Sequence, residues 1–152
     1  VHARPRLRQV VNVVTLATPL GLLLAHAGGG ARCQSAPDGS RGRRPAQDVP
    51  DTPEGLVVVT GYTWPLPPAP AFTVGNVIVL RRGHEHLAGN PRLMAHEARH
   101  ATQWAVCGGL PFLPLYGLAA AWSRVRAGDA FSRNVFERRA GLADGGYRPR
   151  HR

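Results

Sequence analysis

At 152 residues, with a hydrophobic fraction of 43%, the chain is long enough for one domain with a modest core and an attached unstructured segment. All 19 basic residues are arginine, and the formal net charge of +10 favours anionic partners, either nucleic acid or an acidic membrane surface. The arginines are scattered in small clusters (Arg4/Arg6/Arg8, Arg41/Arg43/Arg44, Arg148/Arg150/Arg152) without interleaved aromatics, so no specific nucleic-acid recognition is expected; Cys33 and Cys107 alone exclude a disulfide framework.

Residues 1–8 are basic and 10–27 largely apolar. This segment reads as a cleaved secretory signal ending at Ala25-His26-Ala27, as a membrane anchor, or as a helix that packs on the domain or lies on a membrane. Asn12, Thr15, Thr18 and Pro19 interrupt the first two readings, and Pro19 divides the segment into a helical half and the short run 20–25. A packed or membrane-associated helix is therefore placed ahead of a signal, and a cytoplasmic or membrane-associated protein ahead of a secreted one. Residues 28–54 are rich in Gly, Arg and Pro, bury too little to offset the entropy of ordering, and read as a disordered linker. The remaining domain spans 55–147, with a basic tail at 148–152.

Within that domain, residues 56–62 (LVVVTGY) are β-branched and predict a strand, and 64–70 a Pro-rich extended connection. Residues 72–82 (FTVGNVIVLRR) predict a second strand with a bulge at Gly75-Asn76. The two strands are expected to form a hairpin-like sheet over the helices, whose open edge would accept an extended peptide. Residues 83–89 form a turn in which His84 and His86 read as solvated loop histidines.

Asn90-Pro91 is a helix start and Gly108-Gly109 a helix stop, so His96-Glu97-Ala98-Arg99-His100 falls inside a helix of about four turns. At 100° per residue, His96 and His100 project from one face and can occupy adjacent corners of a tetrahedral zinc site. Glu97, one step round, lies beside the metal and can accept a proton from an attacking water. This is the H-E-x-x-H arrangement of zinc peptidases. A second, very apolar helix is predicted at 110–125, a core or membrane-dipping element that starts at Pro111 and Pro114 and stops at Gly128. A hydrolytic site needs a third protein ligand. In 134–140 (NVFERRA), Glu137 opens another helix and offers one; Asn134-x-x-Glu137 is equally a capping box, in which Glu137 only bonds back to its own helix start.

HEARHATQW, an apolar helix and then NVFERRA together resemble the small bacterial HExxH proteins of the gluzincin type, whose pattern runs H-E-x-x-H-x-x-Q, apolar helix, N-x-F-E-x-x-A. The resemblance covers about 72–147. It implies a zincin-like α+β fold, a small β-hairpin or sheet followed by a helical HExxH core. It also implies zinc bound by His96, His100 and Glu137, with Glu97 as catalytic base. Many gluzincins carry an Asp four residues after the ligand Glu; here that position is Gly141, and Asp144 is the substitute expected on the same helical face. Tyr116 and Tyr147 are both candidates to donate a hydrogen bond to an oxyanion. The expected function is zinc-dependent hydrolysis of a peptide or protein. The alternatives are a zinc-binding but inactive interaction domain, and a basic membrane- or nucleic-acid-associated protein in which HEARH is incidental.

Overall fold

The computed structural model describes residues 3–32 and 55–148. Cys33, the rest of the expected linker (33–54) and residues 149–152 of the expected tail lie outside the described residues.

The protein is a mixed α+β structure built on a small sheet. Strands β1 (Ala31–Arg32), β2 (Val57–Tyr62), β3 (Ala71–Val74) and β4 (Val77–Arg81) lie in the order β1-β2-β4-β3. Residues 77–80 of β4 are Val-Ile-Val-Leu, each fully buried, because both faces of the sheet are covered. Val77 and Val79 pack with Val59, Tyr62 and Ala25, the last from helix α2 (Ala17–Ala27). Ile78 and Leu80 face the other way, against Leu93, Met94 and Ala101 of helix α3 (Pro91–Val106).

The expected hairpin between 56–62 and 72–82 is corrected by this topology. Residues 72–82 are themselves a hairpin: Val74 pairs with Val77 and Phe72 with Val79, antiparallel. Gly75 has a φ of +61° and Asn76 does not share it, the pattern of a two-residue reversing turn rather than a bulge. β2 then pairs with β4 in parallel, Val57 opposite Val77 and Val59 opposite Val79, which leaves β3 on the outside of the sheet. Residues 31–32, expected in the linker, pair antiparallel with β2.

The N-terminal segment forms two helices, α1 (Ala3–Val14) and α2, bent by 70°. The break falls at Leu16, whose φ of +61° is left-handed, and not at Pro19, which sits in the first turn of α2 where its missing N–H costs nothing. Two of the polar residues that interrupt the apolar run, Asn12 and Thr18, are docking contacts, while the Thr15 hydroxyl bonds back to the Val11 carbonyl of its own helix. Asn12, fully buried, donates 2.9 Å hydrogen bonds to Asn76 Oδ1 in the β3–β4 turn and to the Ala101 carbonyl of α3. Thr18 Oγ1 accepts from the Asn76 N–H at 3.2 Å. No single helix among the described residues is long and apolar enough to cross a membrane.

α3 starts where its capping residues predict, with Asn90 Oδ1 accepting from the Arg92 and Leu93 N–H groups. Helix α4 (Phe112–Ala127) follows the Gly108-Gly109 turn and ends at left-handed Gly128. Helix α5 (Val135–Ala140) is short, with Asn134 Oδ1 capping the Phe136 N–H at 2.9 Å. Trp104, Phe112 and Val74 form a third cluster, against which Tyr116 and Phe136 pack, and this holds α4 and α5 beside α3.

Candidate metal centre

His96 and His100 leave α3 from the face that looks towards α5 and the outer strand β3. Their rings meet edge to face with centroids 4.6 Å apart and the two Nε2 atoms at 3.0 Å. Glu137 reaches them from α5: Oε2 lies 3.4 Å from His96 Nε2, and Oε1 3.6 Å from His100 Nε2. All three residues are buried, and one ligand atom from each lies within 4.8 Å of the others. Ligand atoms about 2.0–2.1 Å from a tetrahedral centre sit roughly 3.3 Å apart, close to the spacing found here. Glu137 Oε2 is buried without a hydrogen-bond partner, a costly arrangement for a carboxylate unless a cation meets it. Two imidazoles and a carboxylate converging in this way can hold a metal ion.

The capping-box alternative for Glu137 does not form. The Asn134 N–H donates instead to the Phe131 carbonyl at 3.0 Å, and the Glu137 side chain turns inwards. Burial raises the Glu137 pKa, but the neighbouring His100 and His96 imidazoles, with the hydrogen bond from Tyr116, outweigh it and leave the carboxyl well below the usual range. His100 shows the converse: burial lowers its pKa, but Glu137 and Glu97 overcome this and raise it.

The residues behind the ligands are mostly ones that sequence reasoning missed. Gln103, one turn past His100, accepts from the His100 Nδ1–H through Oε1 at 2.9 Å while its Nε2 donates to the Phe136 carbonyl. The amide orientation requires His100 to donate, which leaves Nε2 free for a metal. Gln103 is the Q of H-x-x-Q, three residues after His100, and that spacing is its signal in the sequence. His96 Nδ1 lies 3.2 Å and 3.0 Å from the main-chain carbonyls of Ala140 and Gly141, so backbone does the orienting that a carboxylate does elsewhere. Asp144 does not fill that role. α5 ends at Ala140, Gly141 breaks away with a φ of +93°, and Asp144 pairs with Arg99 at 2.7 Å. Arg99 also donates to the Ala140 carbonyl at 2.6 Å and so pins the turn that orients His96.

Glu97 is buried beside the ligand pair, with Oε2 accepting a 2.6 Å hydrogen bond from Thr73 Oγ1 of β3. Burial raises its pKa, although His100 and Thr73 pull the other way. The Tyr116 hydroxyl donates to Glu137 Oε1 at 2.5 Å, so it holds the carboxylate and is already committed. Tyr147 stacks on Phe131, with ring centroids 4.5 Å apart, and its ring centroid lies 6.0 Å from that of His96. Burial pushes both phenols upwards, and Glu137 adds to the effect. His84 and His86 lie at the entry to α3 and take no part in the ligand group. A cleft of about 320 Å³ opens over His96, Glu97 and His100, walled by Phe72, Thr73, Leu113 and Tyr147.

The fold and site together define an α+β protein with a buried His-His-Glu group able to take a metal ion. Comparison with known proteins adds one match: the model of the eCIS core domain aligns with residues 67–106, a stretch that carries β3, β4 and α3 with His96, Glu97 and His100 and stops short of Glu137. No curated protein sequence and no solved structure matches the chain significantly.

Proposed function

We propose that this chain is a zinc-dependent hydrolase of the gluzincin type on a zincin-like fold, acting on peptide bonds. The observation that carries the reading is the convergence of His96, His100 and Glu137 with a fourth buried side chain, Glu97, held beside them but outside the ligand group. Two nitrogens and one carboxylate oxygen are the donor set of catalytic zinc sites, which leave a position open. Bound there, zinc would act as a Lewis acid, lowering the pKa of water and polarising a carbonyl.

The chain's own groups do the rest. Glu97, its basicity raised by burial, takes the proton from the attacking water and passes it to the leaving amine. Thr73 holds the other end of that carboxylate in place. Tyr147 borders the cleft on the His96 side and is the phenol placed to meet an oxyanion, since Tyr116 is engaged by Glu137. β3 forms the cleft's wall and the sheet's outer edge, so an extended peptide can add to it as a further strand. The Trp104 indole already holds the Thr73 carbonyl, which leaves Ala71 and the Thr73 N–H for pairing.

A metal-holding interaction domain without turnover is the second reading, favoured by the engagement of Glu97 with Thr73. Elemental analysis of purified protein and digestion of a peptide library separate the two. The wild type is expected to carry one zinc per chain and to cleave peptides, Glu97→Gln to keep the zinc and lose turnover, and Glu137→Ala to lose both. Zinc without cleavage by the wild type would favour the second reading, and absence of zinc from the wild type would end both.

A further inference from the structure

α4 is apolar on the side that faces away from the protein. At 100° per residue, Phe112, Ser123 and Ala127 share the inward face, and all three are buried. Leu115, Leu118, Trp122 and Val125 fall within one arc of about 80° outside it, where they are 46%, 70%, 58% and 81% exposed. Arg124 and Arg126 flank this stripe on either side, and the Arg126 guanidinium lies over the Trp122 ring at 5.2 Å. The apolar surface continues past the start of the helix. The corner between α1 and α2 abuts the α3–α4 turn so closely that a Cβ on Gly109 would meet Thr15 Cβ at 2.6 Å. Around that contact Val14, Leu16, Val106 and Leu110 are 74%, 63%, 81% and 49% exposed. Contiguous apolar surface of this kind marks an interaction site.

We infer that the outer face of α4, with the adjoining corner, docks on the surface of an anionic phospholipid bilayer. Charge selects this occupant. The chain carries +10, all from arginine, and α4 contains no acidic residue. A second copy would bring the flanking arginines of both chains together across a face with no carboxylate to meet them. Residues 33–54 hold Val49 as their one large aliphatic or aromatic side chain, too little to cover the stripe from within the chain. Against a bilayer, Leu118, Trp122 and Val125 enter the acyl boundary while Arg124 and Arg126 reach up to lipid phosphates, the division of labour of an interfacial helix. This inference does not rest on the metal site.

The test uses the full chain with Trp64→Phe, so that Trp122 is the exposed indole beside buried Trp104. Vesicles of equal parts phosphatidylglycerol and phosphatidylcholine are compared with pure phosphatidylcholine. Cosedimentation with the anionic vesicles and a blue shift of Trp122 emission are expected, with little binding to the neutral ones. Leu118→Ser with Val125→Ser keeps every charge and changes only exposed positions, and should weaken partitioning about tenfold or more. Three results would overturn the inference: no binding to anionic vesicles, equal binding by the Ser variant (which reduces the effect to scattered arginine charge), or a wild-type dimer in sedimentation velocity that the Ser variant abolishes.

Discussion

Gln103 shows how narrowly the candidate centre is built. Its Oε1 fixes the His100 ring and its Nε2 is anchored on the Phe136 carbonyl of α5, so one amide ties a histidine to the helix that carries Glu137. Gln103→Ala removes both bonds without touching a ligand, and should weaken zinc about 10–100-fold, read by competition with a chromophoric chelator. Gly145 gives a steric test of the other ligand ring, His96. A Cβ there would lie 2.6 Å from His96 Cε1 and 2.8 Å from Nε2, and the ring cannot swing clear because its Nδ1 is held by the Ala140 and Gly141 carbonyls. Gly145→Ala is therefore expected to displace the ligand face of His96 and cost at least about tenfold in metal affinity by the same titration. If both variants bound zinc like the wild type, the supporting contacts would be incidental.

At the scale of elements, the sheet is held between helices that approach it closely. α2 brings its backbone against the β3–β4 turn at Gly21, where a Cβ would sit 2.5 Å from the Val74 carbonyl oxygen and 3.1 Å from the Val77 side chain. Gly21→Ala must push α2 away from the sheet and should cost about 1–3 kcal/mol, seen as a lower urea midpoint at unchanged slope. What could be read from the sequence follows from how local each signal is. The α3 register and its caps are written in neighbouring residues, so His96, Glu97 and His100 could be placed on one turn from spacing alone. Glu137 needed a second motif, and its inward turn depended on tertiary contacts that no local rule supplies. Asp144 shares a helical face with Glu137 only if α5 runs past Gly141, whose positive φ ends it. The carbonyls that orient His96 belong to the backbone and leave no mark in residue identity. The parallel β2–β4 pairing was hidden for a similar reason: Gly75-Asn76 fits both a bulge and a reversal, and only the packing of α2 on the turn distinguishes them. α4 reads by composition as a core or membrane-dipping helix, and which of its sides carries the exposed apolar face appears only once the neighbours are placed.

For the whole molecule, a metal bound at His96, His100 and Glu137 would compete with protons for one buried cluster, and the competition would have a definite sign. With no metal bound, His100 has its pKa raised by Glu137 and Glu97 against the opposing effect of burial. A group raised above its unfolded value contributes stability that is fully present below that value, about 6.5 for an imidazole, and is lost as pH rises through the higher folded value. The chelated protein should therefore gain stability from this group on acidification, because protonated His100 stands in for the cation beside Glu137 and Glu97. The metal-loaded protein should move the other way, since its ligands must be deprotonated and zinc is displaced as they protonate. Above pH 7 the loaded form is expected to exceed the chelated form by a few kcal/mol, as binding at a hundred- to a thousandfold over Kd gives about 2.7–4.1 kcal/mol. The difference in Tm between zinc-loaded and chelated protein, measured by calorimetry at pH 8, 7, 6 and 5.5, should thus be largest at pH 8 and shrink steadily below 7. Glu137→Ala, lacking a ligand and the charge that raises His100, should show almost no difference at any of these values. A gap that stayed constant with pH, or that survived in Glu137→Ala, would mean that the cation stabilises the chain from somewhere other than these three side chains.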